Sequence, residues 1–275
     1  MKTEYNLLKG LDKTLTLCYN VIIRGEELMA GEPIEVDIQD YIDLYNKGIG
    51  LDKIKPLSNQ TYKLFKSSKV DIRIVHRKHT YEDPNAFKKI EFFAKANEYF
   101  YMIPVTTVKG TIVGFILRGV LKHDYSTVSR MFESREVQVP LMFGFDKSFL
   151  KYDEESNKRN RCLPLIVCEG SKDCLMLKKI YPYVIANNTS SLGVNASILR
   201  NISNSFLLAY DNDDAGKEGI ERDKKVLRQK GAYVDSLKLH EGFKDCADYL
   251  GHPKEFEELK AQVKKKLKEL YNIGR

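Results

Sequence analysis

A chain of 275 residues, 43% hydrophobic and 30% charged, has the make-up of an ordinary globular protein, long enough for one large domain or two small ones. It is too short for a polymerase or helicase that carries its whole apparatus in one chain. Its net charge of +7 favours contact with a polyanion without requiring one, and with mean hydropathy −0.40 and no apolar run near the roughly 20 residues a bilayer demands, a membrane protein is excluded.

The N-terminus, MKTEYNLLKGLDKTLTLC, lacks a basic, then apolar, then small-residue pattern, so a cytoplasmic location is expected. From Ile34 to Lys95, short helical stretches such as IQDYIDLYNKG and NAFKKIEFFAK alternate with basic loops. Tyr101–Pro104 and Val108–Val120 read as antiparallel strands turning at Lys109-Gly110. The first half, residues 1–150, is therefore expected to be α+β. Lys151 to Arg161 (KYDEESNKRNR) is charged and aperiodic, a solvated loop between domains.

Beyond it strands and helices alternate. Leu163–Cys168 (LPLIVC) suits a strand buried on both faces, and Ser171 can cap a helix carrying Cys174, Leu175, Leu177 and Ile180. Tyr183–Ala186 is a second strand, Ala196–Ile202 a helix, and Ser205–Tyr210 (SFLLAY) a third strand. Asp214–Lys230 is a long polar helix with Gly231 after its end, and Ala232–Leu239 a fourth strand suited to a sheet edge. Such alternation implies parallel pairing and an open α/β sheet over residues 161–252. Phe256, Leu259, Val263, Leu267 and Leu270 stripe a C-terminal amphipathic helix, 253–275, expected to dock on that domain.

Five cysteines, none in a C-x-x-C pair, and five scattered histidines give no structural zinc spacing; the every-six recurrence of Cys162, Cys168 and Cys174 crosses a strand and a helix. The chemistry lies in three acidic clusters that follow strands of the second half. They are Glu169-Gly170-Ser171-Lys172-Asp173, Asp211-Asn212-Asp213-Asp214-Ala215-Gly216, and Lys244-Asp245-Cys246-Ala247-Asp248. Open parallel sheets bind ligands beyond the C-terminal ends of their strands. Alternate residues of extended chain point the same way, so Asp211 and Asp213 can face a common ion. Carboxylates brought together without cations repel, so a hard divalent metal is expected among them. Each cluster read alone is bland: Glu-Gly is common after strands, Asp214 can be a helix cap, and 244–248 can be a solvated loop. A calcium loop starting at Asp211 fails, because its fifth and twelfth positions would be Ala215 and Arg222.

Taken together, order and spacing resemble the Toprim domain, over Leu163 to Leu250, in its DnaG-type primase version. EGSKD (169–173), SSLG (190–193), AYDNDDAG (209–216) and KDCADYL (244–250) carry the likeness. Upstream, Tyr101–Pro104, the run Gly110–Gly119 and Pro140–Phe145 resemble the primase N-terminal subdomain and the motif joining it to Toprim. The resemblance implies an α/β Toprim domain behind an α+β subdomain. Glu169, Asp211 and Asp213 would be the catalytic metal carboxylates, with Asp173 and Asp245 completing the cluster and two Mg2+ or Mn2+ ions as cofactors. Lys172 and Lys244 would contact the nucleotide, and Arg118, Lys122 and Arg130 a single-stranded DNA template. The implied activity is synthesis of RNA primers from nucleoside triphosphates, with a replicative helicase and a single-strand-binding protein as further partners. No zinc-binding or helicase domain flanks the core, as in compact phage-like primases, and Ala247 stands where the family carries a second acid, unless Asp248 replaces it. A Toprim nuclease or RNA-processing enzyme, and a non-catalytic nucleic-acid-binding accessory, are the competing readings.

Overall fold

The computed structural model describes residues 38–83, 85–122, 124–129, 141–152, 163–189, 191–193 and 195–273. Two compact units part between Leu141 and Met142. Most of the charged stretch 151–161, together with Cys162, Pro140 and Arg130, lies outside the described residues. Among the described residues no helix is long and apolar enough to cross a membrane.

The first unit is an antiparallel sheet in the order β1 (Ile49–Gly50), β2 (Arg73–His76), β3 (Tyr99–Thr106), β4 (Ile112–Gly119) and β5 (Tyr125–Ser129). Helix α1 (Ile38–Asn46) buries Tyr41, Leu44 and Tyr45, spaced three and four apart, in a core with Val75, Phe100, Met102, Phe115, Leu117 and Val128 of the sheet. Those sheet residues alternate along their strands, as one buried face requires. On the opposite face Phe65 of α2 (Gln60–Ser67) meets Tyr101 edge to face at 5.0 Å. The short helix α3 (Glu91–Ala96) adds Phe93 against Phe100. The β3–β4 hairpin turns at Lys109-Gly110 as expected, closed by Gly110 N–H donating to Thr107 O at 2.9 Å.

The second unit holds a four-stranded sheet, ordered β7 (Val184–Ala186), β6 (Leu165–Cys168), β8 (Ser205–Ala209), β9 (Tyr233–Ser236), with every pairing parallel. The central strands β6 and β8 are buried at every position, which is why they read as unbroken apolar runs. Helices α4 (Ser171–Leu177), α5 (Asn195–Ile202) and α6 (Asp214–Gln229) make the crossovers. Phe143 exchanges two backbone hydrogen bonds with Ala186, of 2.9 and 2.8 Å, adding a short antiparallel bridge beside β7. Helix α7 (Pro253–Ile273) buries Leu259, Val263 and Leu270 and leaves Phe256 and Leu267 half-buried. Its Gln262 brackets the backbone of Lys238, accepting from the N–H at 3.0 Å and donating to the carbonyl at 2.9 Å.

The long polar helix starts at Asp214 as expected, whereas the cap expected at Ser171 falls one residue earlier. Gly170 is the N-cap of α4, and Asp213 caps α6, its Oδ1 accepting Gly216 N–H at 2.9 Å. Gly170 and Gly216 both allow close approach. A Cβ on Gly170 would lie 2.9 Å from Asp173 Oδ2, and one on Gly216 only 2.1 Å from the carbonyl oxygen of Asp211. The first turn of α6 therefore closes directly onto the backbone of the residue that leads the acidic cluster.

Candidate active site

Parallel register brings the acidic segments together. Cys168 pairs with Ala209 at the C-terminal ends of β6 and β8, so Glu169 emerges beside Tyr210 and Asp211. Asp211 N–H donates to Glu169 Oε1 at 3.2 Å. Asp213 has one oxygen committed to its cap; the other, Oδ2, lies 3.4 Å from Lys244 Nζ, which is also 3.7 Å from Asp211 Oδ2. Asp211 and Asp213 thus do face a common cation, and in this structure it is an ammonium.

Asp245 caps the short 3-10 turn Cys246–Tyr249 and pairs with Lys172 at 3.6 Å. Asp173, only 5% exposed, accepts the backbone N–H of Ala247 at 3.0 Å. Where the primase motif has a second acid, this chain offers a backbone donor to Asp173. Asp248 Oδ2 accepts the N–H of Lys244 at 2.8 Å and of Asp245 at 3.3 Å, the return half of a capping box.

Burial and mutual repulsion act on several of these acids. Burial, then the adjacent Asp211, pushes Glu169 up to about 7. Burial and the charges of Asp245 and Asp211 raise Asp173, and burial with Asp245 raises Asp211 against the pull of Lys244. Asp213 alone lies below the usual carboxylate range, because Gly216 N–H stabilises its charged form. This donor set, all hard oxygen and short of compensating positive charge, fits a divalent ion of the magnesium class. Among the described residues, however, no three Asp, Glu, His or Cys side chains already close round one point.

Sequence reasoning missed the polar layer beneath this rim. Asp223 of α6, 1% exposed, accepts from Tyr210 OH at 2.7 Å and from Leu192 N–H at 3.0 Å. Asn187 donates to Ser191 O at 2.5 Å and accepts from Asn195 Nδ2 at 2.7 Å, while Asn188 N–H donates to Glu169 O at 2.7 Å. These bonds fix the turn after β7 and, through it, the exits of β6 and β8. Asp223 interrupts the apolar side of an otherwise amphipathic helix, which was the one available signal. Cys168, Cys174 and Cys246 are free and buried behind the acids.

In the other unit, Arg118 on β4 lies across from Tyr101 on β3 and Tyr125 on β5, half-buried, and Lys122 is exposed just after β4.

Residues 166–250 match the family model described as Toprim-like. No curated protein matches the chain in sequence. Among solved structures, the DnaG catalytic core is 16% identical, with a TM-score of 0.55 over 82% of this chain and 79% of that one. The zinc-binding and RNA polymerase domains of the Aquifex aeolicus primase are 18% identical, with a TM-score of 0.53 over 84% of this chain and 62% of that one. The DnaG primase catalytic domain bound to ssDNA is 15% identical, with a TM-score of 0.51 over 83% of this chain and 80% of that one. The chain thus has the fold of primase catalytic cores, with a Toprim domain behind an N-terminal part built of helices and strands, and it spans 62% of the Aquifex aeolicus structure.

Proposed function

We propose that this chain is a DNA primase, joining nucleoside triphosphates into short RNA primers on single-stranded DNA. The observation that carries the reading is the meeting of Glu169, Asp211, Asp213, Asp173 and Asp245, from three separate segments, at the C-terminal rim of a parallel sheet in a chain of primase-core fold. Glu169, Asp211 and Asp213 would hold Mg2+ or Mn2+, with Asp173 and Asp245 behind them. Two such ions held there would supply positive charge to a triphosphate and to a primer 3′-hydroxyl.

The protein's own groups do the rest. Glu169 would have to shed its proton to become a ligand, and a bound cation would favour the charged form that burial and Asp211 oppose in the ion-free protein. Lys172 and Lys244, already set among the acids, are the donors nearest to hand for phosphate oxygens. Arg118, Lys122 and Arg130 of the N-terminal half would hold the template backbone, as one structural neighbour is bound to ssDNA. A replicative helicase and a single-strand-binding protein would be the partners of such an enzyme in replication.

The test is incorporation of labelled ribonucleotides on single-stranded templates with Mg2+ or Mn2+. Templated products from the wild type and none from Asp211→Asn support the proposal. Divalent-dependent cleavage of nucleic acid without incorporation would move the assignment to a Toprim nuclease.

A further inference from the structure

Lys244 is built to move. Its backbone is pinned on both sides: Asn212 N–H donates to its carbonyl at 2.6 Å, and its own N–H donates to Asp248 Oδ2 at 2.8 Å. Asn212 Nδ2 reaches the preceding carbonyl, of Phe243, at 3.3 Å, and Phe243 packs on Tyr249 with ring centroids 4.4 Å apart. The side chain, by contrast, is 64% exposed and held only by its ammonium, at 3.4 Å from Asp213 Oδ2 and 3.7 Å from Asp211 Oδ2. A fixed root with a long, solvated stem lets the charge leave by rotamer changes alone, without disturbing the segment.

Its place is also the contested one. Asp211 and Asp213 are the pair whose alternate spacing aims them at one cation, and among the described residues Lys244 is the cation within ion-pair distance of both, while Lys172 acts on Asp211 and Lys217 on Asp213 only through their weaker fields. An ammonium and a divalent ion cannot share that space, since the two would repel at contact distance.

We propose that Lys244 is the resident counter-ion of Asp211 and Asp213: its ammonium neutralises the pair in the ion-free protein and is displaced when a divalent ion binds. The inference rests on the metal-site reading above and adds a consequence to it. Ion binding is a cation exchange, so the wild type binds more weakly than its carboxylates alone would allow. In return the ion-free site is protected from its own repulsion. The displaced ammonium is left on its tether at the rim, positioned for the phosphate oxygens of a nucleotide.

Mn2+ binding, followed by electron paramagnetic resonance on full-length protein without nucleotide, tests this. Lys244→Gln should bind Mn2+ about two- to fivefold more tightly than the wild type, the scale of an exposed ion pair. Lys244→Arg should stay near the wild type, and Asp211→Asn should abolish saturable binding. Melting gives a second readout: in EDTA the Gln variant should melt below the wild type, and saturating Mg2+ should raise its Tm by more. Equal or weaker Mn2+ binding by Lys244→Gln, with binding still dependent on Asp211, overturns the exchange and leaves the metal site standing. No saturable binding by the wild type or by Lys244→Gln overturns both.

Discussion

Glu169 Oε1 accepts the backbone N–H of Asp211 at 3.2 Å, so the first and second acidic segments are joined by a bond that favours the charged carboxylate while its surroundings oppose that charge. Burial and the Asp211 carboxylate prevail, raising Glu169 from 4.5 to about 7. A group whose folded pKa is raised contributes stability that is complete below its unfolded pKa and is lost as pH rises through the folded one. In EDTA the protein should therefore lose stability between about pH 4.5 and 7 through this residue, by of the order of 1 kcal/mol once solvent screening is allowed for. Glu169→Gln should flatten that part of the pH profile while removing metal-dependent incorporation. Urea unfolding at pH 5, 6, 7 and 8 measures it; a Gln variant with an unchanged slope would refute the assignment of the shift to Glu169.

Asp173 makes a different kind of contribution. It is buried and accepts the N–H of Ala247, tying α4 to the turn within the third acidic segment. Asp173→Ala leaves that donor unsatisfied and should cost about 1–3 kcal/mol. Asp173→Asn keeps an acceptor and removes a charge that burial disfavours, so it should lie within about 1 kcal/mol of the wild type. Denaturant midpoints at constant m-value distinguish the two variants.

How much of this was legible in the sequence depends on what each residue answers to. The LIVC of β6 and the SFLLA of β8 announce a doubly covered parallel sheet because burial on both faces leaves no polar position. Once the sheet is parallel, the residues after those strands must meet, and Glu169 and Asp211 do. The cap of α4 was read one position late because Gly170 and Ser171 are both acceptable cap types, and only the backbone angles decide between them, whereas the start of α6 at Asp214 was legible. The Asn187–Asn195–Asp223 layer was invisible because its partners are loop backbone groups, which follow no periodicity. The counter-ions Lys172 and Lys244 were marked only through a family resemblance. Their pairing with acids far along the chain depends on the loop after β9 folding back over Asn212.

Asp223 carries the heaviest structural prediction. It satisfies Tyr210 OH and Leu192 N–H inside the protein, and Tyr210 directly precedes Asp211. Asp223→Ala leaves two buried donors without an acceptor and should cost about 2–4 kcal/mol. Tyr210→Phe removes one of those donors and should cost about 1 kcal/mol. Because both act through one network, the double variant should be less destabilised than the sum of the single ones. A strictly additive cycle in chemical denaturation would show that the hydroxyl and the carboxylate do not cooperate.

The N-terminal unit can be tested apart from the carboxylates. Arg118 projects from the same strand position that faces Tyr101 and Tyr125, and Lys122 lies exposed four residues on. If these residues meet template phosphates, each charge removed should weaken binding to all single-stranded sequences alike. It should also reduce the slope of log K against log salt by about 0.7, the counterion released per phosphate of a single strand. Arg118→Ala and Lys122→Ala, measured by fluorescence anisotropy with labelled oligonucleotides from 50 to about 200 mM salt, should each show that loss. Arg118→Lys should restore the slope with only part of the affinity, since the charge is kept and the planar guanidinium is lost. A wild-type slope in both alanine variants would place the template elsewhere and leave the two residues as surface charge on the β4 end.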